Sequence, residues 1–453
     1  MAPFRLVFVL VLAAPGLAAA QGAPQLSLEQ ALRQAGRQAY ANRIADAQAR
    51  ASDGEAARTL RAVLPSVRLE ADYLRTTEPL TAFGLLLRQR LVTPVAFDPL
   101  RLNQPAAIGN LGTAIVVEQP VFSADALLSR RTAKRTADAE HASAAWTQRG
   151  TQLDVVRAYF AAILAEEQVG TLDSAGRAAH AHQRVAESRH RNGVATRSDA
   201  LLAAVRAGAV EAELVAARGA RQLQRLQLAV ILGSPTDTAF RLPEQLPDTA
   251  AIVTLLSDAD TLSVSARADV QAAELRLAAA VADQQRATAA FLPTVNTFGR
   301  LEWNSSGMLF EGQQAWTAGV MVRWTPFSGG SEFAGRRLAA ARQDAAAAAV
   351  EAVVARGHLE QAQAAIAREV ARARMRIEGE AVAQSSEAHR IVARKYEAGL
   401  ATAVELFDAA AEETAARLGF AEARYQAIVA EAERLRAAGR GLTPLTGLDF
   451  REP

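Results

Sequence analysis

The chain has 453 residues with a formal net charge of +2; 50% of residues are hydrophobic, 22% are charged, and Cys is absent. The apolar share excludes a largely disordered chain, and the near-neutral charge argues against a strongly basic nucleic-acid binder. The absence of Cys excludes disulfides, thiolate nucleophiles and Cys-ligated metals.

Chain order begins with an address. Arg5 precedes the apolar run Leu6 to Ala14, then Pro15-Gly16 and the small residues Ala18 and Ala20, which reads as a secretory signal over 1–20 cleaved before Gln21. The run is too short to cross a hydrocarbon core of about 30 Å as a helix. No later stretch holds about 18 uninterrupted apolar residues, so a β-barrel is the remaining route into a membrane. Without Cys there is no site for an N-terminal lipid.

Beyond the signal the chain repeats itself. Val63-Leu64-Pro65-Ser66-Val67 recurs as Phe291-Leu292-Pro293-Thr294-Val295, Phe122-Ser123 as Phe327-Ser328, and Asn192-Gly193-Val194-Ala195-Thr196 as Ala398-Gly399-Leu400-Ala401-Thr402. The offsets are 228, 205 and 206, so the first copy holds 23 extra residues in its strand region. The first repeat is expected over 21–232, with strands at about 64–74 and 111–121 and a very long helix at about 124–191. A connection over 233–265 carries Pro235, Pro243 and Pro247. The second repeat follows over 266–442, with strands at about 292–304 and 315–326 and a helix at about 329–398, before a tail over 443–453. As single helices, the two Pro-free segments would each reach roughly 100 Å at 1.5 Å per residue.

The strand regions alternate. Val67, Leu69, Ala71 and Tyr73 interleave with Arg68, Glu70 and Asp72; Trp316, Ala318, Val320, Val322 and Trp324 interleave with Thr317, Gly319, Met321 and Arg323. Val295, Leu301 and Trp303 follow the same rule, although Phe298 breaks it. One apolar and one polar face suit a water-lined barrel in lipid, and Tyr73, Trp303, Trp316 and Trp324 suit the headgroup level. Four strands cannot close a barrel and open edges are not tolerated in lipid, so several chains must share one; three would give twelve strands and two would give eight. The insertion at 76–110 falls between strands, and Pro94, Pro99 and Pro105 are expected to limit its regular structure.

The duplicated unit, the turns Arg191 to Asp199 and Tyr396 to Thr402, and the segment Ser265-Ala266-Arg267-Ala268-Asp269 resemble the TolC family of outer-membrane efflux proteins over about Leu26 to Leu442. The resemblance implies a mainly α fold with a small β part: a homotrimeric 12-strand barrel in the outer membrane continued by a long periplasmic α-helical barrel. It implies a periplasmic adaptor and an inner-membrane pump as partners, no cofactor and no nucleic acid. It places Asn192, Gly193, Val194, Thr196, Asp199, Tyr396, Gly399, Leu400 and Thr402 at the periplasmic tip where adaptors dock. Glu405 and Asp408 match acidic positions that narrow the tunnel entrance, and their spacing puts both carboxylates on one helix face. Asp199, supported by Tyr396, matches a latch position, but Ala401 stands where some relatives carry an Arg.

Other chemistry is thin. His180, His182 and His190 do not share a helix face and read as surface residues, and no nucleophile elbow, metal-binding helix or P-loop is found. The expected function is an outer-membrane exit duct for efflux or type I secretion and not an enzyme. The alternative is a soluble periplasmic coiled-coil adaptor or interaction protein.

Overall fold

The structure, a computed structural model, describes residues 25–236, 240–256 and 263–448. The expected secretory signal and the end of the tail lie outside these residues. Each half of the chain runs helix, strand, strand, long helix, turn, helix. In the first half, α1 (Leu28–Gln38) and α2 (Tyr40–Arg58) lead into β1 (Ser66–Thr76), and β2 (Ile108–Phe122) leads into α5 (Ala124–Arg191) and α6 (Arg197–Ile231). In the second, α8 (Ala268–Ala289) leads into β3 (Thr294–Ser305), and β4 (Gln313–Arg323) into α9 (Ser331–Glu397) and α10 (Ala403–Ala437). A short α7 (Thr249–Leu255) lies between the halves.

Helices α5 and α9 have 68 and 67 residues. Each is therefore about 100 Å long. Ser123 starts α5 by accepting the Ala126 N–H on its hydroxyl at 3.2 Å, whereas α9 starts from Gly330 in a left-handed conformation. Such length needs lateral support, and α5 receives it from α1, α2, α6, α8 and α10, whereas α9 packs against α10 and α8. The main core sits along the middle of α5, where Val155, Val156, Tyr159, Phe160 and Ile163 meet Leu28, Leu228, Leu256, Ile428 and Leu445. Tyr159 carries its hydroxyl out of this apolar cluster to the Leu26 carbonyl at 2.9 Å.

The motif that opens the second repeat is a clamp. Arg267 is fully buried, donating from Nη2 to Asp269 and Glu360, each at 2.8 Å, and from Nη1 to the Ala437 carbonyl at 3.2 Å. Its guanidinium and that of Arg436 both lie 4.4 Å from the centre of the Trp146 ring. One side chain thus ties α5, α8, α9 and α10 together, its charge matched by two carboxylates as burial demands.

The sheet has the order β1-β2-β3-β4 with every pair antiparallel. Pairing of β2 with β3 joins the two repeats and leaves β1 and β4 as edges. The helices attach at one end of the strands; the connections 77–107 and 306–312 lie at the other, here called the distal end. Between β1 and β2 the structure differs from the sequence expectation: the proline-bearing insertion holds α3 (Pro79–Arg88) and a short α4 (Pro99–Asn103). Pro79 and Pro99 stand in the first turns of these helices, where a missing N–H costs nothing, and Glu78 and Asp98 cap them.

Candidate functional site

Strand register assigns every side chain to one face of the sheet, because successive residues point to opposite sides. One face gathers Val67, Leu69, Ala71 and Tyr73 with Leu111, Ile115 and Val117, then Val295, Leu301 and Trp303, then Trp316, Ala318, Val320 and Val322. Val67, Leu69, Tyr73, Trp316, Val320 and Val322 are exposed, as is Trp324 just beyond β4, whose indole N–H reaches the Phe291 carbonyl at 3.1 Å. Trp303 packs edge-on to Phe310, with ring centres 5.4 Å apart. A contiguous apolar sheet face of this kind is unfavourable in water and favourable against hydrocarbon. Trp316 and Trp324 are about 26 Å apart along the strand at 3.3 Å per residue. A strand tilt near 40° reduces that to about 20 Å of height, close to the apolar band of a membrane barrel.

The opposite face is polar. Arg68 reaches Glu118 at 2.5 Å, and Arg300 reaches Glu70 at 2.7 Å and Glu302 at 3.0 Å, an ion-pair ladder across β1, β2 and β3. Phe298, the exception in the sequence pattern, lies on this face over Gly319, where an added Cβ would stand 2.9 Å from its ring. The ring covers a bare glycine backbone, which is why an aromatic is tolerated there.

At the other end of the molecule the two helical turns have the same construction. Gly193 and Gly399 adopt φ of 74° and 76°. Val194 N–H reaches the Arg189 carbonyl at 2.9 Å and Leu400 N–H reaches the Lys395 carbonyl at 2.8 Å, which closes the same glycine-terminated helix end in each turn. Thr196 with Asp199, and Thr402 with Glu405, then form reciprocal caps that start α6 and α10. Asn192 is the last residue before the first glycine. Val194 and Leu400 are 74% and 78% exposed, so each turn presents one bare aliphatic side chain at its tip.

The carboxylates singled out in the sequence are placed as follows. Asp199 accepts from the N–H and hydroxyl of Thr196 at 3.0 and 2.8 Å. Glu405 accepts from the same groups of Thr402 at 2.7 and 3.0 Å, and these donors, with Lys395 nearby, hold its carboxyl below the usual range. Asp408, one turn further along α10, pairs with Arg206 of α6 at 3.2 Å. Tyr396 is buried among Ala186, Ala203, Ala403, Leu406 and Phe407. The group stacked on it is Arg189, 4.4 Å from the ring centre, which also donates to the Tyr396 and Glu397 carbonyls at 3.0 and 3.1 Å. Arg189 therefore caps the end of α9 from the neighbouring repeat. Sequence reasoning missed Arg189 and Arg206. Arg189 carried one signal, a basic residue in a last helical turn, but its partner lies 207 residues away.

One histidine reading is corrected. His180 and His190 are exposed, but His182 is half-buried, with ring centres 6.1 Å from His389 and 6.4 Å from Phe407. Burial, reinforced by His389 and opposed by Glu397, lowers its pKa. His389 in turn meets Glu413 at 2.5 Å. Burial opposes ionisation of Glu413, yet hydrogen bonds from Arg417, His389 and Ser386 outweigh it and bring its pKa to about 2.

An exposed apolar sheet face, a polar ion-paired face and two free edges, joined to helices about 100 Å long, define the protomer of a membrane β-barrel with a helical extension. The chain belongs to the outer membrane efflux protein family, whose model matches residues 43–234 and 262–440. It is 29% identical over 231 residues to the outer membrane protein OprJ of Pseudomonas aeruginosa, a match spanning 49% of this chain and 48% of OprJ, about half the length of that relative. Its fold is similar to that of VceC from Vibrio cholerae, with a TM-score of 0.75 at 20% identity over 91% of this chain and 96% of VceC. It is also similar to the open state of the MtrE channel of Neisseria gonorrhoeae, with a TM-score of 0.72 at 20% identity over 92% of this chain and 89% of MtrE. The protein is an outer-membrane protein of an efflux family, and neither fold nor family supports the soluble adaptor alternative.

Proposed function

We propose that three copies of this chain close their sheets into one 12-strand outer-membrane barrel, continued through the periplasm by a long α-helical barrel. The assembly is the exit duct of a tripartite efflux or type I secretion system, fed by an inner-membrane pump through a periplasmic adaptor. The observation that carries this reading is the sheet itself: an apolar face spanning all four strands with both edges unpaired among the described residues. In lipid, edge β1 of one copy has only edge β4 of another to satisfy its backbone groups. Heat-modifiable gel mobility of a trimer extracted from outer membranes, with ion conductance in planar bilayers, tests it; a monomer confined to the soluble fraction defeats it.

The tips at Gly193 and Gly399, with Asn192, Val194, Thr196, Asp199, Leu400 and Thr402, are the adaptor docking surface, and the exposed Val194 and Leu400 support this; Tyr396, expected there too, is buried and supports the turn from beneath instead. Tyr73, Trp303, Trp316 and Trp324 are the interface aromatics. Glu405 and Asp408 form stacked acidic rings at the tunnel entrance, where they favour cations. Glu405→Gln keeps a residue able to complete the cap while removing the charge. Combined with Asp408→Asn it is expected to reduce cation selectivity, and unchanged reversal potentials in salt gradients would reject the rings.

A further inference from the structure

The insertion at the distal end does not hang free. Gln89, at the end of α3, donates from its amide to the Gly109 carbonyl and to Asn110 Oδ1, both at 2.8 Å, and Asn110 donates to Asn304 Oδ1 at 2.9 Å. All three amides are buried, and Asn110 and Asn304 lie on the polar face of the sheet. Arg90 follows in a left-handed conformation, φ 53°, at the helix-ending position that normally takes glycine. It reaches the Gln314 carbonyl of β4 at 3.4 Å. The insertion is therefore tied to the distal end of the sheet, to β2 directly, to β3 through Asn110 and to β4 through the Gln314 carbonyl, and backbone strain is accepted where it turns.

The side of α3 that carries Ala82, Leu85 and Gln89 is buried, and the helix packs on β2. Its other side carries Leu80 and Leu87, exposed at 79% and 52%, and Leu91, 55% exposed, follows beyond the end of the helix. If the polar face lines the barrel, that second apolar side points away from the wall into the water-filled passage. An apolar helix side gains nothing there unless it meets another apolar surface, and what stands across a closed barrel is the same helix of a sister copy. A barrel of twelve strands spaced about 4.8 Å and tilted about 40° has a radius of about 12 Å. A helix is about 10 Å thick, so three of them fill most of that opening.

We propose that α3 from three copies of this chain forms an apolar plug in the outer mouth of the barrel, with Leu80 and Leu87 meeting around the axis. An apolar constriction of this kind stops ions by dewetting. The proposal rests on the duct reading above, and it adds a closure at the end opposite the helical tips.

The test uses the full-length protein in planar bilayers. The native chain has no Cys, so Leu87→Cys supplies a unique thiol, with Val320→Cys on the lipid face as comparator. A short bis-maleimide is expected to link Leu87→Cys protomers covalently and to leave Val320→Cys protomers unlinked. Leu80→Ser with Leu87→Ser is expected to raise single-channel conductance at least about twofold. A protein that is not trimeric, or does not conduct in any form, overturns the duct reading. A conducting trimer whose Leu87→Cys protomers do not link overturns the plug alone, and linking with unchanged conductance in the serine variant overturns it as well.

Discussion

Helices α5 and α9 differ in length by one residue yet sit in different surroundings. At the repeat offset of 206, Phe160 and Leu164 of α5 correspond to Ile366 and Val370 of α9. Phe160 is fully buried in the core of the protomer, whereas Ile366 is 66% exposed. Both helices keep an apolar residue at matching positions, but only the first finds its partner within the chain. Duplication copied the backbone plan and the apolar positions; the surroundings assigned one helix to the core and left the matching apolar face of the other exposed.

Mutation can break this contrast. Phe160→Ala is expected to cost roughly 3–5 kcal/mol in denaturant unfolding followed by helical circular dichroism. Ile366→Asp is expected to leave the helix content of the protomer unchanged and to abolish the heat-modifiable oligomer on gels. If Ile366→Asp unfolds the protomer instead, the two helices are not in different situations. The turns offer a second contrast. Arg189→Ala removes a charged donor from two α9 carbonyls and a stack on Tyr396, a local loss of about 1.5–3 kcal/mol, read as faster hydrogen exchange at the second turn. Lys395→Ala, at the matching place in the second repeat, is expected to change the first turn far less.

Smaller effects sharpen the likeness of the turns. Thr196→Ala and Thr402→Ala should each cost about 1 kcal/mol of helix-start stability, and equal losses in proteolysis assays would show that the caps are equivalent. The smallest effect concerns His182, whose repeat counterpart is Ala388. Its pKa is lowered from the ordinary 6.5, chiefly by burial, so the folded chain binds fewer protons than the unfolded chain below that value. Stability is therefore present above pH 6.5 and falls as pH drops through the lowered pKa. His389 and Glu397 face the same ring, and Glu413 beyond His389 stays ionised throughout. The melting temperature of the native protein should decline between about pH 7 and pH 5, and His182→Phe should flatten that decline.

The sheet was legible because alternation with a period of two is a local property, readable at Val67 to Tyr73 and at Trp316 to Val322 without any partner. The lone misfit, Phe298, became intelligible only when pairing set it over Gly319. The helical turns were legible for the same reason: Gly193 with Thr196, and Gly399 with Thr402, act within a few residues. The ties between repeats were not. Arg189 to Tyr396 and Arg206 to Asp408 cross more than 200 residues, and arginine in a helix is ordinarily a solvated side chain. The half-buried place of His182 was hidden likewise, since His389 and Phe407 come from the other repeat.

The amino-acid order alone determined the duplicated plan, the long helices and the two-faced strands, because each follows from spacing along a short stretch of backbone. Only the folded chain decided which of two equivalent helices became core, which arginines hold the tip, and where the insertion between β1 and β2 came to rest. Those outcomes depend on contacts between segments far apart in sequence, and no local pattern records the choice of partner.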